Sequence, residues 1–381
     1  MPAAVASTLS LYVHVPFCSS RCGYCDFNTY TATELGSEVR RDSFHEVLAA
    51  EVRIAAERLA TTQQVSTVFV GGGTPTLLGS AGLNFVLDEI RRSFGLVDGA
   101  EVTTEANPDS VDQQMLDELR TGGFTRMSFG MQSAAPRVLQ VLERTHTPGA
   151  SVQAAKWANE VGFEHVNLDL IYGTPGESDD DLKSSVDAAL SAGIDHLSAY
   201  ALIVEDGTAL SRRIARGELP APDDDVCADR YELIDEYLTA AGMPWYEVSN
   251  WAKPGGQCQH NLAYWRSQQW WGVGPGAHSH VNGRRWWNIK HPAPYAERVR
   301  MHEAPIADDE VLTSEDLRTE QVMLGVRLAE GMSADSFGSV VLERLASRGL
   351  IDEAANGAGQ VLLTLQGRLL ADAVVRELLA S

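Results

Sequence analysis

Apolar positions along the first two hundred residues switch repeatedly between two periods. Short runs rich in Val, Ile, Leu and aromatic residues recur at 9–15, 65–70, 101–105, 126–130, 165–171 and 196–202, and they predict strands. Between them the apolar residues fall at helical spacing. The segment 37–59, with Phe44, Leu48, Val52 and Ala55 on one face, predicts a helix, as do 111–119, 138–142, 151–161 and 182–192. Glycines close several of these helices: Gly122 with Gly123, then Gly162 and Gly193. Strands that alternate with helices pair in parallel through right-handed crossovers. The expected fold is therefore α/β: an open (β/α)6 barrel, three quarters of a full eightfold barrel.

In barrels of this kind, sites gather at the C-terminal ends of the strands. The first predicted strand meets Pro16, which cannot continue it, and runs into Cys18-Ser19-Ser20-Arg21-Cys22-Gly23-Tyr24-Cys25. The second ends at Gly71-Gly72-Gly73-Thr74-Pro75, the third at Glu105-Ala106-Asn107-Pro108, and the fourth at Gly130-Met131-Gln132-Ser133. The fifth carries Asp169 and ends at Tyr172-Gly173-Thr174-Pro175. Gly-Pro pairs that merely make turns account for the glycines, but not for Glu105, Gln132 and Asp169 at one mouth. Three cysteines in C-x3-C-x2-C can hold three irons of a [4Fe-4S] cluster. The fourth iron has no ligand from this loop, since Phe27 stands two residues after Cys25. A structural zinc site needs four closed ligands, and this is not the paired knuckle spacing. His14 is a fourth candidate for zinc, but it lies within the strand, before Pro16.

Composition narrows the partners. The 381 residues suffice for one large α/β domain and an appendage. A net charge of −22 argues against nucleic acid and against an unaided hold on anionic lipid. No Lys or Arg precedes Arg21, so the start lacks the basic region of a signal peptide. No apolar run approaches the roughly 18 residues of a membrane span. Of the five cysteines three are clustered, which fits a reducing compartment, so a cytoplasmic location is expected; Cys227 and Cys258 read as free thiols.

The cysteine loop after a strand, with the aromatic–cysteine pair Tyr24-Cys25, resembles the radical S-adenosylmethionine (SAM) superfamily. The resemblance implies that the open iron of the cluster chelates the amino and carboxylate groups of SAM. An electron from the cluster then cleaves the sulfonium to a 5′-deoxyadenosyl radical. It also implies SAM contacts at Tyr12, Tyr24, Gly72, Gly73, Thr74, Glu105, Gln132, Arg144 and Asp169. The residue chemistry is compatible. The glycine run lacks the Lys-Ser/Thr of a P-loop, and its bare backbone carbonyls can accept from an ammonium. Glu105 and Asp169 can accept from an ammonium or from ribose hydroxyls. Arg144 can pair with a carboxylate, or be an exposed arginine at a helix end.

The pattern changes after 202. Asp223-Asp224-Asp225 opens a helix to about residue 240, acidic where the helix dipole favours it. Residues 245–251 predict a short strand. Seven of the eight tryptophans lie from Trp245 to Trp287, around the glycine-rich Gly272-Val273-Gly274-Pro275-Gly276-Ala277-His278. Such a segment can stack a flat aromatic ligand and ligate haem iron through His260 or His278. It can equally be an aromatic minicore that seals the barrel's open side, with satisfied histidines. His260-Asn261-x-x-Tyr264-Trp265 is similar to the HNxxYW motif of the HemW haem-chaperone family, which is related to oxygen-independent coproporphyrinogen III oxidase. Residues 12–18, 71–76 and 169–173 resemble the same family. That resemblance implies a haem site at His260, Asn261, Tyr264 and Trp265, with Asn261 the neighbour that orients the histidine. It also implies haem as cargo and haem-accepting proteins as partners, membrane respiratory proteins among them. The oxidase branch reads C-x3-C-x2-C-x-C, and Phe27 departs from it.

Three regions are expected: a radical SAM barrel over 1–240, the aromatic-rich extension over 241–304, and a C-terminal unit over 305–381. The last begins in a polar, loop-like stretch near Pro305. It continues with a helix at 312–328, then helix, turn, short strands and helix between 337 and 379, an order similar to a winged helix. It carries few basic residues for its acidic ones, so a lid or partner-docking role is expected rather than DNA binding. The competing readings are a haem chaperone, a radical SAM coproporphyrinogen dehydrogenase, and a non-catalytic iron–sulfur protein with a vestigial SAM site.

Overall fold

The computed structural model describes residues 9–35, 39–59 and 63–380. Strands β1 (Leu9–Val15), β2 (Val65–Gly72), β3 (Leu96–Ala106), β4 (Arg126–Gln132), β5 (His165–Tyr172) and β6 (His196–Ala201) pair side by side in sequence order, all parallel. Helices Phe44–Leu59, Gly79–Ser93, Gln113–Gly122, Ala150–Glu160 and Asp179–Ser191 make the crossovers, and Asp224–Ala240 follows β6. The chain is thus an open α/β barrel, as the alternation of periods implies. The helix expected at 37–59 begins later, at Phe44, after a 3-10 turn at Arg41–Ser43; positions 37 and 38 lie outside the described residues. Side-chain caps set several helix starts. Asp112 accepts from the Met115 N–H, Ser178 and Asp181 form a reciprocal capping box, and Asp223 accepts from two N–H groups.

Six more strands extend the sheet at both edges: β7 (Trp245–Glu247), β8 (Asn250–Ala252), β9 (Gln269–Val273), β10 (His278–Val281), β11 (Arg284–Asn288) and β12 (Ile306–Val311). The full order is β12-β11-β10-β9-β1-β2-β3-β4-β5-β6-β8-β7. β9 joins β1 in parallel, and β8 joins β6 antiparallel. The aromatic-rich segment therefore widens the barrel sheet on both flanks. Two sequence expectations are corrected here. The single strand at 245–251 is a hairpin, because the Glu247 carboxylate accepts from the Ser249 N–H at 3.0 Å and also from the Asn250 amide, folding the chain back. The stretch after Pro305 is an edge strand, not a loop. Asp308, Asp309 and Glu310 are exposed along it, charges that discourage pairing with another chain.

The sheet buries both faces with different chemistry. Leu9, Leu11, Val13 and Val15 pack into the main apolar core with Phe44, Leu48, Val52, Leu83 and Leu87 of the helix layer. The alternate positions face the barrel interior, and there the residues are polar: Ser10, Tyr12 and His14 on β1, Ser128 on β4, Asn167 and Asp169 on β5, His196 and Ser198 on β6. A second core, built from Val326, Leu345, Val361, Val374 and Leu378, belongs to the C-terminal unit. That unit holds helices Ser314–Gly325, Ser339–Ser347 and Ala371–Leu379, and a two-stranded ribbon of Met332–Ser333 with Gln360–Val361. It is joined to the barrel through Arg368. The Arg368 guanidinium forks the Asp235 carboxylate at 2.8 and 2.7 Å and lies 4.4 Å over the Trp245 ring.

Candidate functional site

The cysteine loop is pinned before any ligand is considered. Cys18 N–H donates to the Tyr30 carbonyl at 3.0 Å, and Tyr30 N–H donates back to Pro16 at 2.7 Å. The buried His14 ring ties the loop to β1. Its Nε2 lies 2.9 Å from the Asn28 carbonyl, which can only accept, so the proton is on Nε2 and Nδ1 accepts from the Tyr12 hydroxyl at 3.0 Å. Burial pushes the His14 pKa down and keeps the ring neutral.

The glycine run lies against this loop. Gly73 N–H donates to Val15 and Thr74 N–H to Phe17, at 2.8 and 2.7 Å. A Cβ at Gly73 would sit 2.4 Å from the Phe17 carbonyl oxygen and 3.0 Å from Cys18 Sγ. Only bare backbone fits between the loop and β2. Gly72 adopts φ +112, and its N–H donates to Glu105 at 3.1 Å.

A cleft of about 390 Å³ opens at this mouth. Cys18, Cys22 and Cys25 line it, with Tyr24, Gly72, Gly73, Thr74, Glu105, Gln132, Arg144 and Asp169. Every sequence-expected SAM position except Tyr12 is thus in one cavity; Tyr12 lines the chamber below. Arg144 is not an exposed helix-end arginine. Its guanidinium lies 3.5 Å from Cys22 Sγ and donates to the Gly130 carbonyl at 3.2 Å, while its buried Nε has no partner. Gln132 holds φ +58, uncommon for a residue with a side chain, and its buried Oε1 is also unpartnered. Strain and open valences at one mouth suit a ligand that completes them. Sequence reading overlooked Tyr200, near the end of β6, and Leu202 and Ile203 just beyond it, which line the same cleft. Applying the strand-end rule to the sixth strand as well as the first five finds them.

Two carboxylates face the cleft half-buried. Burial first, then the Asp169 charge, pushes Glu105 up to about 8, against the Gly72 N–H that favours its charge. Burial raises Asp169 as well, opposed by the Ser198 and Ser128 hydroxyls and the Asn167 amide. Folded Glu105 therefore holds its proton more tightly than the unfolded chain does. Its contribution to stability is intact below the ordinary value of 4.5 and falls as pH rises to about 8. Glu105→Gln in the ligand-free protein is expected to gain melting temperature over the wild type as pH is raised from about 5.5 to about 8.5. A difference that is flat across that range contradicts the assignment.

The thiols fit a [4Fe-4S] cluster. Among the described residues no three His, Cys, Asp or Glu side chains are gathered as ligands of one metal ion. A cluster does not ask that of them, because each cysteine meets a different iron. Cys227 and Cys258 are elsewhere: the first lies against Gly173, and the second is buried 3.4 Å from Glu101. When bound, the cluster supplies a redox-active iron open to a chelating ligand. The cysteine loop would hold it, and Arg144 would stand beside its Cys22 corner.

Below the cleft is a second chamber of about 200 Å³, which shares Glu105, Asp169 and Tyr200 with it. Helix Gln259–Trp265 closes this chamber. The Glu101 carboxylate accepts from the Gln259 and His260 N–H groups at 3.0 and 2.9 Å, and pairs with buried Arg126. His260, Asn261 and Tyr264 line the chamber. His260 is 1% exposed and closed at both nitrogens, by Thr67 at 2.8 Å and Tyr264 at 2.9 Å. Those residues orient the ring, not Asn261. Burial lowers its pKa to about 4, so the ring is neutral. Tyr264 reaches it because positions four apart share a helix face. Trp265 is on the next face and packs with Tyr246, Leu262 and Leu328 instead.

The chain matches the radical SAM superfamily over residues 12–189. It is 55% identical over 372 residues to the heme chaperone HemW of Mycobacterium tuberculosis, covering 97% of this chain and 94% of that one. It is 35% identical over 379 residues to the heme chaperone HemW of Bacillus subtilis, covering 96% and 97%. Coproporphyrinogen III oxidase of Escherichia coli, a radical SAM enzyme, superposes with a TM-score of 0.82 over 98% of this chain and 90% of that chain. At 24% identity that likeness speaks to the fold alone.

Proposed function

The chain belongs to the HemW family of the radical SAM superfamily, and on that premise we propose that it is a haem chaperone. It binds haem, carries a [4Fe-4S] cluster on Cys18, Cys22 and Cys25, binds SAM in the cleft above β1 to β6, and delivers haem to acceptor proteins in the cytoplasm or at the membrane. The observation that carries the chaperone reading is the name shared by relatives that match this chain end to end. Phe27 supports it: it is 61% exposed at the lip of the cleft, where the oxidase pattern has a further cysteine.

Within the cleft, Glu105 and Asp169 offer acceptors to an ammonium or to ribose hydroxyls, and the bare backbone at Gly72 and Gly73 lets a ligand approach. Arg144, with an unused Nε–H donor, would face a carboxylate, and Gln132, with an unused Oε1 acceptor, would face an ammonium or a hydroxyl. The second reading, a coproporphyrinogen dehydrogenase, rests on the shared barrel. Product analysis with coproporphyrinogen III and SAM under strict anaerobiosis separates the two. The chaperone reading expects no protoporphyrinogen IX above the level without protein, and multiple turnovers would replace it with the enzyme reading.

A further inference from the structure

Of the two histidines that the sequence offers to haem iron, the structure closes one and leaves the other open. His260 is sealed under a chamber of about 200 Å³, with both nitrogens bonded. A haem there would have to break both bonds and part the helix from the barrel. His278 opens β10 directly after the glycine loop and is exposed, and its ring nitrogens have no hydrogen-bond partner among the described residues. Its ring lies nearly parallel to Trp287, its register partner on β11, with centroids 5.7 Å apart and planes at 26°. On the other side, half-exposed Trp270 of β9 donates its indole N–H to the His278 carbonyl at 3.0 Å.

We propose that His278 is the axial ligand of the haem cargo, which lies on the sheet face formed by Trp270, His278 and Trp287. The proposal rests on the haem-binding reading above. Three adjacent strands span roughly 10 Å, the scale of a porphyrin ring, and the two indoles flank the imidazole with apolar, stackable surface. Arg285 and Lys290 are near enough to act on His278 electrostatically. Arg285 is tied up with Glu310 and Glu320. Lys290 makes no ion pair among the described residues, and so is available to a propionate carboxylate in an otherwise acidic chain. Burial, then those two cations, lowers the His278 pKa, which keeps the ring in the neutral, ligating form. His280 is a second imidazole on the same face, 5% exposed, with an unpartnered Nε2 beside Trp270. That buried atom is a polar contact left for a ligand to complete. An open face also suits a cargo that must leave again.

Because His278 is exposed, its replacement should leave the fold intact, which an unchanged thermal melt would confirm. The test is a haemin titration of the full chain with its cluster reconstituted, followed by absorption and electron paramagnetic resonance. His278→Ala is expected to weaken haemin binding at least tenfold and to remove the imidazole-ligation signature, and added imidazole should restore that signature in His278→Gly. His260→Ala should keep it. If His278→Ala retains the signature while His260→Ala loses it, the proposal is overturned and the haem-binding reading stands. If the wild type does not bind haemin at all, the reading itself fails, and the proposal with it.

Discussion

Ala at any one of Cys18, Cys22 or Cys25 is expected to abolish the cluster, with iron and acid-labile sulfide falling to background after anaerobic reconstitution. The loop supplies three ligands and no reserve: Phe27 follows in place of a fourth cysteine, and His14 is already bonded at both nitrogens. The Tyr30 and Pro16 hydrogen bonds fix the backbone on either side, so the loop cannot shift to recruit another donor. Neither remaining cysteine can substitute. Cys227 lies so close to Gly173 that a Cβ there would be 2.5 Å from its sulfur, and Cys258 is 3% exposed beneath the lower chamber. Cys227→Ala and Cys258→Ala should therefore reconstitute normally. If either loses its cluster as completely as Cys22→Ala, the ligand assignment is wrong.

The second large effect is expected in SAM binding. Glu105→Ala with Asp169→Ala removes both carboxylates from the cleft. A hydrogen bond to a charged group contributes about 1.5–3 kcal/mol, so the pair should cost about two to four powers of ten in affinity. The two are not independent. Each charge raises the other's cost of ionisation, so a single replacement eases its neighbour and should lose less than half of the total. Equilibrium binding of SAM to the reconstituted protein measures this. Affinity unchanged in the double variant, with the cluster intact, removes these residues from the site.

Much of this was legible in the sequence, because each strand carries two messages. Leu9, Leu11, Val13 and Val15 announce a strand buried against helices. Ser10, Tyr12 and His14, alternating with them, already hint at a polar interior. The strand-end rule then places Cys18, Gly72, Glu105, Gln132 and Asp169 at one mouth, and the structure gathers them in one cleft. What escaped depends on packing. Helix Gly79–Ser93 opens Gly-Ser-Ala-Gly, which reads as a loop although Leu83, Val86, Leu87 and Ile90 keep helical spacing. The strand at Ile306–Val311 is exposed and acidic, so its only strand signal is its partner β11. No local pattern tells a capped histidine from an open one. His260 is closed by Thr67, nearly two hundred positions away in the chain, and that separation hides the difference between His260 and His278.

The central claim is that this protein holds haem as cargo. An absorption titration of the anaerobically reconstituted protein with haemin tests it most directly. The account predicts a saturable shift of the Soret band that ends at one haem per chain, and the bound haem should transfer to an apo haem protein added afterwards. A spectrum that remains that of free haemin, or that rises linearly without saturation, would contradict the claim.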